Sequence, residues 1–495
     1  MKKIALINPP YRVVRHTLSP SFPLGLGYIK KVCELNGVSC DLYDFSASSK
    51  SDEELINEYN LLSYEVIGIS SYSLFFVDTI KLIKKLKNEK NIIVVGGHHA
   101  TLCRGKLLEE FKEIDYCLLG FGEYSFLELI ENIGNDNKYK VSGLCYRYKN
   151  SIIENKVNYT NFNLDNIPFP DRKDIIIDYD SDKTIDISKT VLNISTSRGC
   201  PYHCTYCVNC KNDYWLTRST ENVLHEVEYE MEKNQYKRIN FIDCNFYVNP
   251  KRAENIIYAI HSRYPEVSFS FQTRSDQIVK NEARLVKLLN VVNCNIDIGI
   301  ESNSDVVLKR YKKGTNEKIN QEAIEILKRS NCEIVVYIIM FEALETLEDI
   351  RKTFNFLKEN HLTQYSGINN LYQTIIPFYG SQYYEDYHEY YVGSIHERTH
   401  PKFIHKNVEE LYKVMRDFRN RFEDVIEEII VDINRNFSVD KNDDLFFLSK
   451  VAYITFEYYL IMCEKYSICD KSEFEKTYIY RNLIDIIKKY GKAII

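Results

Sequence analysis

No apolar run in this chain reaches the ~18 residues that a membrane-spanning helix needs. The longest such stretch, Val451 to Cys463, is interrupted by Glu457 and reads as a buried helix. No secretory leader is expected, because Met1-Lys2-Lys3 runs straight into the strand-like Ile4-Ala5-Leu6-Ile7. A basic excess is also missing. The 64 Lys and Arg stand against 70 Asp and Glu, and the net charge of −6 argues against a nucleic-acid-binding surface. There is no internal repeat and no low-complexity linker. What remains is a chain of 495 residues, 44% hydrophobic and 27% charged. That is enough for roughly three domains of ~150 residues, each with a proper core. Most of the 14 cysteines are single and lie in apolar runs, as at Cys117, Cys294 and Cys463. Scattered thiols of this kind fit a reducing, cytoplasmic compartment.

One group of cysteines is not scattered. Cys200, Cys204 and Cys207 lie in Gly199-Cys200-Pro201-Tyr202-His203-Cys204-Thr205-Tyr206-Cys207, a C-x3-C-x2-C spacing with Tyr206 before the last cysteine. Three thiolates so close together can hold three irons of a [4Fe–4S] cube, leaving the fourth iron open to a small molecule. Electron-transfer clusters use four cysteines, so a set of three points to chemistry at the open iron. Zinc is the rival reading, with Cys210 as a fourth ligand and His203 inside the loop. Zinc motifs, however, usually bring paired C-x2-C units or histidines at matching distance. A disulfide framework fits the scattered remainder poorly. The triad with its aromatic resembles the signature of the radical S-adenosylmethionine (SAM) superfamily. The resemblance implies that SAM chelates the open iron through its amino and carboxylate groups. It also implies that an electron from the cluster cleaves SAM to methionine and a 5′-deoxyadenosyl radical.

The region 1–140 alternates short apolar strands with helical patterns. Strands are predicted at Ile4 to Ile7, Val66 to Ser70, Ile92 to Val95 and Tyr116 to Leu119, with helices at Leu24 to Asn36 and Asp78 to Lys87. Apolar strands between helices predict an α/β fold with a doubly wound parallel sheet, Rossmann-like, covered on both faces. Ligands of such sheets bind beyond the carboxyl ends of the strands. The segments Asn8-Pro9-Pro10, Ser70-Ser71, Gly96-Gly97-His98-His99 and Gly120-Phe121-Gly122-Glu123 fall there. Taken singly, each is a turn signal. As an ordered set they resemble the cobalamin-binding domain of the cobalamin-dependent radical SAM enzymes. The resemblance implies cobalamin contacts at Asn8, Pro9, Ser70, Ser71, Gly96, Gly97, Gly122 and Glu123. The Asp-x-His-x-x-Gly motif, whose histidine binds cobalt from below in cobalamin mutases, is missing. His98 and His99 are read as tail or surface contacts rather than cobalt ligands.

Residues 141–190 read as a linker with a rigid proline crossing at Ile167-Pro168-Phe169-Pro170. Residues 191–385 predict six strand and helix units, a partial (β/α)6 barrel. Its strands start at Leu192, Ile239, Val267, Cys294, Ile334 and Tyr372. The cluster loop follows the first of them, at the mouth where barrel enzymes work. Gly299-Ile300-Glu301-Ser302 with Lys312-Lys313-Gly314 is similar to the radical SAM pattern. That similarity implies SAM contacts at Tyr206, Asp243, Arg274, Glu301 and Ser302. Arg274 suits a two-pronged grip on a carboxylate. The chain departs from the family after the fifth strand, where Met340-Phe341-Glu342-Ala343-Leu344-Glu345-Thr346 lacks the usual glycines and proline. Pro377-Phe378-Tyr379-Gly380-Ser381 restores the next landmark.

Residues 386–495 predict a helical C-terminal domain capping the barrel. Its helices are expected at Asn407 to Asn420, Phe422 to Asn436, Asp444 to Lys465 and Glu473 to Lys489. The tyrosine-rich piece Tyr383 to Tyr391 either lines a substrate pocket or belongs to a helical core. No second cysteine cluster follows, so an auxiliary iron–sulfur domain is not expected.

The resemblance as a whole implies a cobalamin-dependent radical SAM methyltransferase acting on an unactivated carbon. Its cofactors would be a [4Fe–4S] cluster, SAM and cobalamin. Its partners would be a small-molecule or peptide substrate and a reductant such as flavodoxin or ferredoxin. A radical rearrangement or cyclisation without methyl transfer is the first alternative, and a non-catalytic binding protein on the same fold is the second. No general acid, base or nucleophile is singled out.

Overall fold

The computed structural model describes residues 2–12, 22–159, 162–170, 172, 174–179, 191–209, 214–362, 370–420 and 443–466, with backbone alone for 443–451 and 465–466. The N-terminal strands are β1 (Ile4–Asn8), β2 (Cys40–Asp44), β3 (Val66–Ser70), β4 (Ile92–Gly96), β5 (Tyr116–Leu118), β6 (Leu144–Tyr148), β7 (Ser151–Glu154) and β8 (Ile176–Ile177). They form one eight-stranded sheet in the order β7-β6-β5-β4-β3-β1-β2-β8. Pairing is parallel from β5 through to β8. It is antiparallel only where β6 and β7 extend the edge. Both faces are buried, as the all-apolar strands require. In β1, Ala5 and Ile7 join one core cluster, and Ile4 and Leu6 join another on the opposite face. Strand order reverses between β1 and β3, so the loops after Asn8 and Ser70 open at the switch point where such sheets bind ligands. The segment expected as a linker gives this sheet three strands, β6, β7 and β8.

The second sheet is built from β9 (Val191–Ile194), β12 (Arg238–Phe241), β13 (Ser268–Arg274), β14 (Cys294–Glu301) and β15 (Cys332–Ile338). All four pairings are parallel, and the strands lie in chain order. A short antiparallel pair, β10 (Ser197–Gly199) with β11 (Trp215–Thr217), stands at its mouth. The expected sixth strand at Tyr372 to Pro377 is reduced to one parallel bridge, Phe341 with Thr374. The amides of Met340 and Phe341 both donate to the Gln373 carbonyl, so the two segments meet at a point instead of along a ladder.

One face of this sheet carries the core. Leu192, Ile194, Ile239, Phe241, Phe269, Phe271, Ile296, Ile298 and Ile300 are all buried in a single cluster with the surrounding helices. The other face is polar: Asn193, Asn240, Ser270, Asp297 and Glu301 alternate with them and are only half-buried. Asn240 Nδ2 donates to Asn193 Oδ1 at 2.9 Å, and Ser270 Oγ donates to Asn240 Oδ1 at 2.9 Å. A sheet with one polar face does not close on an apolar barrel core.

The C-terminal helix over 406–420 and the helix Asp443–Tyr466 pack on this sheet's core through Val408, Leu411, Met415, Phe456 and Leu460. The helices expected at Phe422 to Asn436 and Glu473 to Lys489 lie outside the described residues. No described helix is long and apolar enough to cross a membrane.

Candidate active site

The loop carrying Cys200, Cys204 and Cys207 leaves β10 at the mouth of the second sheet. Gly199 makes that exit possible. Its φ is +82°, and a Cβ there would lie 2.1 Å from the Tyr214 carbonyl oxygen. The loop is held on two further sides. Thr205 N donates to the Tyr311 carbonyl at 2.9 Å, and Tyr383 N donates to the Thr205 carbonyl at 2.8 Å. Cys204 is buried, while Cys200 and Cys207 are half-buried. Burial pushes the Cys207 thiol up to about 12, and the neighbouring Cys244, Cys204 and Cys200 add to the rise. Burial raises Cys200 too. Three mutually repelling, partly desolvated sulfurs suit a cationic centre, which inverts that preference and takes them as thiolates. The donor set therefore fits three irons of a cluster. Cys210, the fourth ligand of the zinc reading, lies outside the described residues.

Three expected site residues, Arg274, Glu301 and Tyr206, meet at this loop. The Arg274 guanidinium donates from Nη1 to Cys204 Sγ at 3.4 Å, donates from Nε to Asp276 at 2.8 Å, and lies 3.9 Å from the Tyr202 ring centroid. Glu301 ends β14 with φ +65°, a strained value for a residue with a Cβ. Its carboxylate accepts from Lys313 Nζ at 2.9 Å, and the same ammonium donates to the Tyr206 hydroxyl at 3.2 Å. Gly299 leaves room for this pair, since a Cβ there would meet Glu301 Oε1 at 2.7 Å and Lys313 Nζ at 3.0 Å. Tyr206 also packs on Tyr311, with ring centroids 5.1 Å apart. Burial and the Glu301 carboxylate hold its phenol well above the ordinary range.

Two other expected contacts are occupied as braces. Asp243 accepts from Thr196 N at 3.1 Å, from Thr196 Oγ1 at 3.0 Å and from the Ser197 hydroxyl, and it is fully buried. It fixes the turn between β9 and β10 on which the cysteine loop stands. Ser302 turns away from the mouth, with Oγ 3.1 Å from Thr353 Oγ1 and accepting from Ser304 N at 3.2 Å. Tyr383 is likewise buried, its hydroxyl 2.9 Å from that of Tyr391.

At the first sheet, the expected cobalamin residues divide in the same way. Asn8 donates to Asp44 at 2.8 Å and accepts from the Tyr11 hydroxyl at 2.6 Å, and Pro9 is buried beside it. Ser71 Oγ donates to the Gly96 carbonyl at 2.7 Å and accepts from Ala100 N, stapling the end of β3 to the turn after β4. Gly97, at φ +93°, needs its missing side chain because a Cβ would meet Ser71 O at 2.8 Å. Gly96 borders open space, its nearest neighbour being Leu118 O at 3.8 Å. Ser70 is half-buried next to it. Gly122 faces Ile29. Glu123 is buried and pairs with Arg198 on β10 at 2.5 Å, while its second oxygen, Oε2, has no partner among the described residues. Open glycine backbone and an orphaned carboxylate oxygen at the strand ends fit a large polar ligand.

One neighbour of the cluster loop, Cys244, carries no linear signal. Cys244 is exposed, 3.0 Å from Asn209 Nδ2, and the Asn209 amide faces Cys207 Sγ at 3.5 Å. Lys313 is legible as part of the Lys312-Lys313-Gly314 pattern, but its contact with Glu301 is not. The polar face of the second sheet does have a signal, the strict alternation in Cys294-Asn295-Ile296-Asp297-Ile298-Gly299-Ile300-Glu301.

Comparison with known proteins places two domains on this architecture. Residues 12–130 match the B12 binding domain, and residues 194–357 match the radical SAM superfamily. An uncharacterized methyltransferase of Pyrococcus horikoshii is 27% identical over 368 residues, 72% of this chain and 78% of the relative. The anaerobic magnesium-protoporphyrin IX monomethyl ester cyclase of a Synechocystis species is 24% identical over 349 residues, 66% of this chain and 67% of the relative. The solved structure of the cobalamin-dependent SAM radical enzyme OxsB with aqua-cobalamin and SAM superposes with a TM-score of 0.69 at 16% identity, covering 100% of this chain and 85% of that one. At that identity the likeness concerns the fold.

Proposed function

The chain carries a B12 binding domain ahead of a radical SAM domain, and on that premise we propose that it is a cobalamin-dependent radical SAM methyltransferase acting on an unactivated carbon. The observation that carries this reading is the pairing of the three-cysteine loop with strand-end loops of the first sheet, joined through Arg198 and Glu123. Cys200, Cys204 and Cys207 would hold the cluster, and the open loops of Gly96 and Gly97 would receive cobalamin. When bound, the cluster with SAM supplies a 5′-deoxyadenosyl radical and cobalamin supplies the methyl group.

The chain's own side chains position and insulate. Arg274 donates to the Cys204 sulfur and holds its guanidinium against the loop. Glu301, held by Lys313, presents a carboxylate beside the loop where ribose hydroxyls or an ammonium group would be recognised. Tyr206 closes one side of that position with its ring. Asp243 and Ser302 act at one remove by fixing the backbone under these groups. The polar face bearing Asn240, Ser270 and Asp297 suits a substrate with hydrogen-bonding groups, either a small molecule or a peptide. A low-potential electron must come from a separate reductant, for which a flavodoxin or ferredoxin is suited.

Reconstitution with iron, sulfide and hydroxocobalamin under anaerobic conditions tests the proposal. The expected result is about four irons per chain and one tightly bound cobalt, with the iron lost in the Cys200/Cys204/Cys207→Ala chain. A chain that cleaves SAM yet never binds cobalamin would sink the methyltransferase reading. The similarity to the cyclase favours a second reading, radical cyclisation without methyl transfer. Product mass separates the two, since methylation adds one CH2.

A further inference from the structure

Away from the cysteine loop, a second set of soft donors is gathered from distant parts of the chain. The ligand atoms of His99, Cys103 and His396 all lie within 4.8 Å of one another, and all three residues are buried. His99 and Cys103 stand four residues apart on the helix His98–Cys103 and share one face of it. His396 arrives from the C-terminal region. His99 Nε2 lies 3.0 Å from His396 Nδ1 and 3.6 Å from Cys103 Sγ. Tetrahedral zinc, with bonds of ~2.05 Å to nitrogen and ~2.3 Å to sulfur, sets such atoms about 3.3 Å and about 3.6 Å apart.

The opposite ring nitrogens are both engaged. His99 Nδ1 lies 2.9 Å from Ser73 Oγ, and His396 Nε2 lies 2.8 Å from Glu110 Oε2. A carboxylate or hydroxyl behind each histidine is what fixes the tautomer of a metal ligand. Phe76 lies 4.1 Å from the His99 ring and Phe111 lies 5.0 Å from the His396 ring, so the group is enclosed by apolar surface. A hydrogen bond between two imidazoles would account for the 3.0 Å contact. It does not account for a thiol turned to the same nitrogen, nor for outward partners on both rings. Two imidazoles and one thiol bind a divalent ion with release of the thiol proton. The Glu110 carboxylate balances the remaining positive charge.

We propose that His99, Cys103 and His396 bind one zinc ion, which fastens the C-terminal segment around residue 396 to the turn after β4. Solvent takes the fourth corner on the side of His396, the most exposed of the three. The site is separate from the iron cluster and from the proposed cobalamin loops, although it anchors the helix that follows Gly96 and Gly97.

The test uses the full chain with Cys200/Cys204/Cys207→Ala, so that zinc has no cluster loop to enter, and with no cobalamin added. After zinc loading and dialysis, elemental analysis is expected to find about one zinc per chain. Adding Cys103→Ser or His396→Gln should lower zinc affinity more than about tenfold. Cobalt(II) loading of the parent chain should give a thiolate-to-cobalt charge-transfer band and tetrahedral d–d bands, which decides the matter even if those variants do not fold. Zinc below about a tenth per chain, copper or iron held in place of zinc, zinc undiminished in the folded variants, or cobalt bound without the thiolate band would each overturn the proposal.

Discussion

Asp297 shows how a single side chain couples the second sheet to solution conditions. It lies on the polar face of β14, and Tyr337 donates to it at 3.1 Å. Burial pushes its carboxyl from the ordinary 3.8 up to about 6, and the Tyr337 and Arg238 interactions offset this only in part. The folded protein therefore binds this proton more tightly than the unfolded chain. The resulting stabilisation is complete below pH ~4 and is lost as the pH rises through ~6, amounting to at most about 3 kcal/mol. Denaturant midpoints measured from pH 4 to pH 7 should fall more steeply for the wild type than for Asp297→Asn, which keeps the shape without the proton. Parallel profiles would show that the carboxyl is solvated. Asp297 was legible as a strand residue, and the alternation along β14 gave its face. Its desolvation and its Tyr337 partner were not legible, because they depend on how β15 packs beside β14.

At the scale of the element, the cysteine loop depends on backbone as much as on ligands. Gly199→Ala puts a Cβ against the Tyr214 carbonyl in a conformation that disfavours side chains. It should cost several kcal/mol and lower iron content. Gly25→Ala is the control. The position is exposed in the helix Leu24–Leu35, with nothing within 4 Å of the added Cβ. A gain of about 0.5–1 kcal/mol is expected there. Thermal melts with iron analysis of both variants check the pair, and equal effects would remove the special role of Gly199. The five parallel strands of the second sheet were readable from apolar runs. The sixth was not, because Tyr372 to Pro377 has strand composition while pairing is decided by a bridge to Phe341.

For the whole molecule, the contact that matters is the one between the two sheets. Glu123 and Arg198 pair at 2.5 Å with side-chain exposures of 4% and 19%, and Arg198 also lies over the Phe121 ring. Removing either partner alone strands a buried charge. Glu123→Gln and Arg198→Met should each cost about 3 kcal/mol, while the double variant should cost clearly less than their sum. Urea unfolding of all four chains gives the coupling. A coupling near zero would mean that this pair does not help to hold the two sheets together. A carboxylate in a Gly-x-Gly-Glu segment reads in sequence as a ligand contact. Its use as an interdomain tie depends on an arginine that the chain brings to it across 75 positions.

The sequence by itself determined the cysteine triad, the two α/β regions and their order, because spacing and short-range apolar periodicity are local properties. It also determined which strand ends carry glycine and serine. Tertiary structure alone decided which of those residues stay open, such as Gly96, and which are spent on bracing, such as Ser71, Asp243 and Ser302. Only the folded chain set Lys313 against Glu301 and His396 against His99, at separations of 12 and 297 residues. Contacts of that kind arise from how sheets and helices pack, and no local pattern of residues records them.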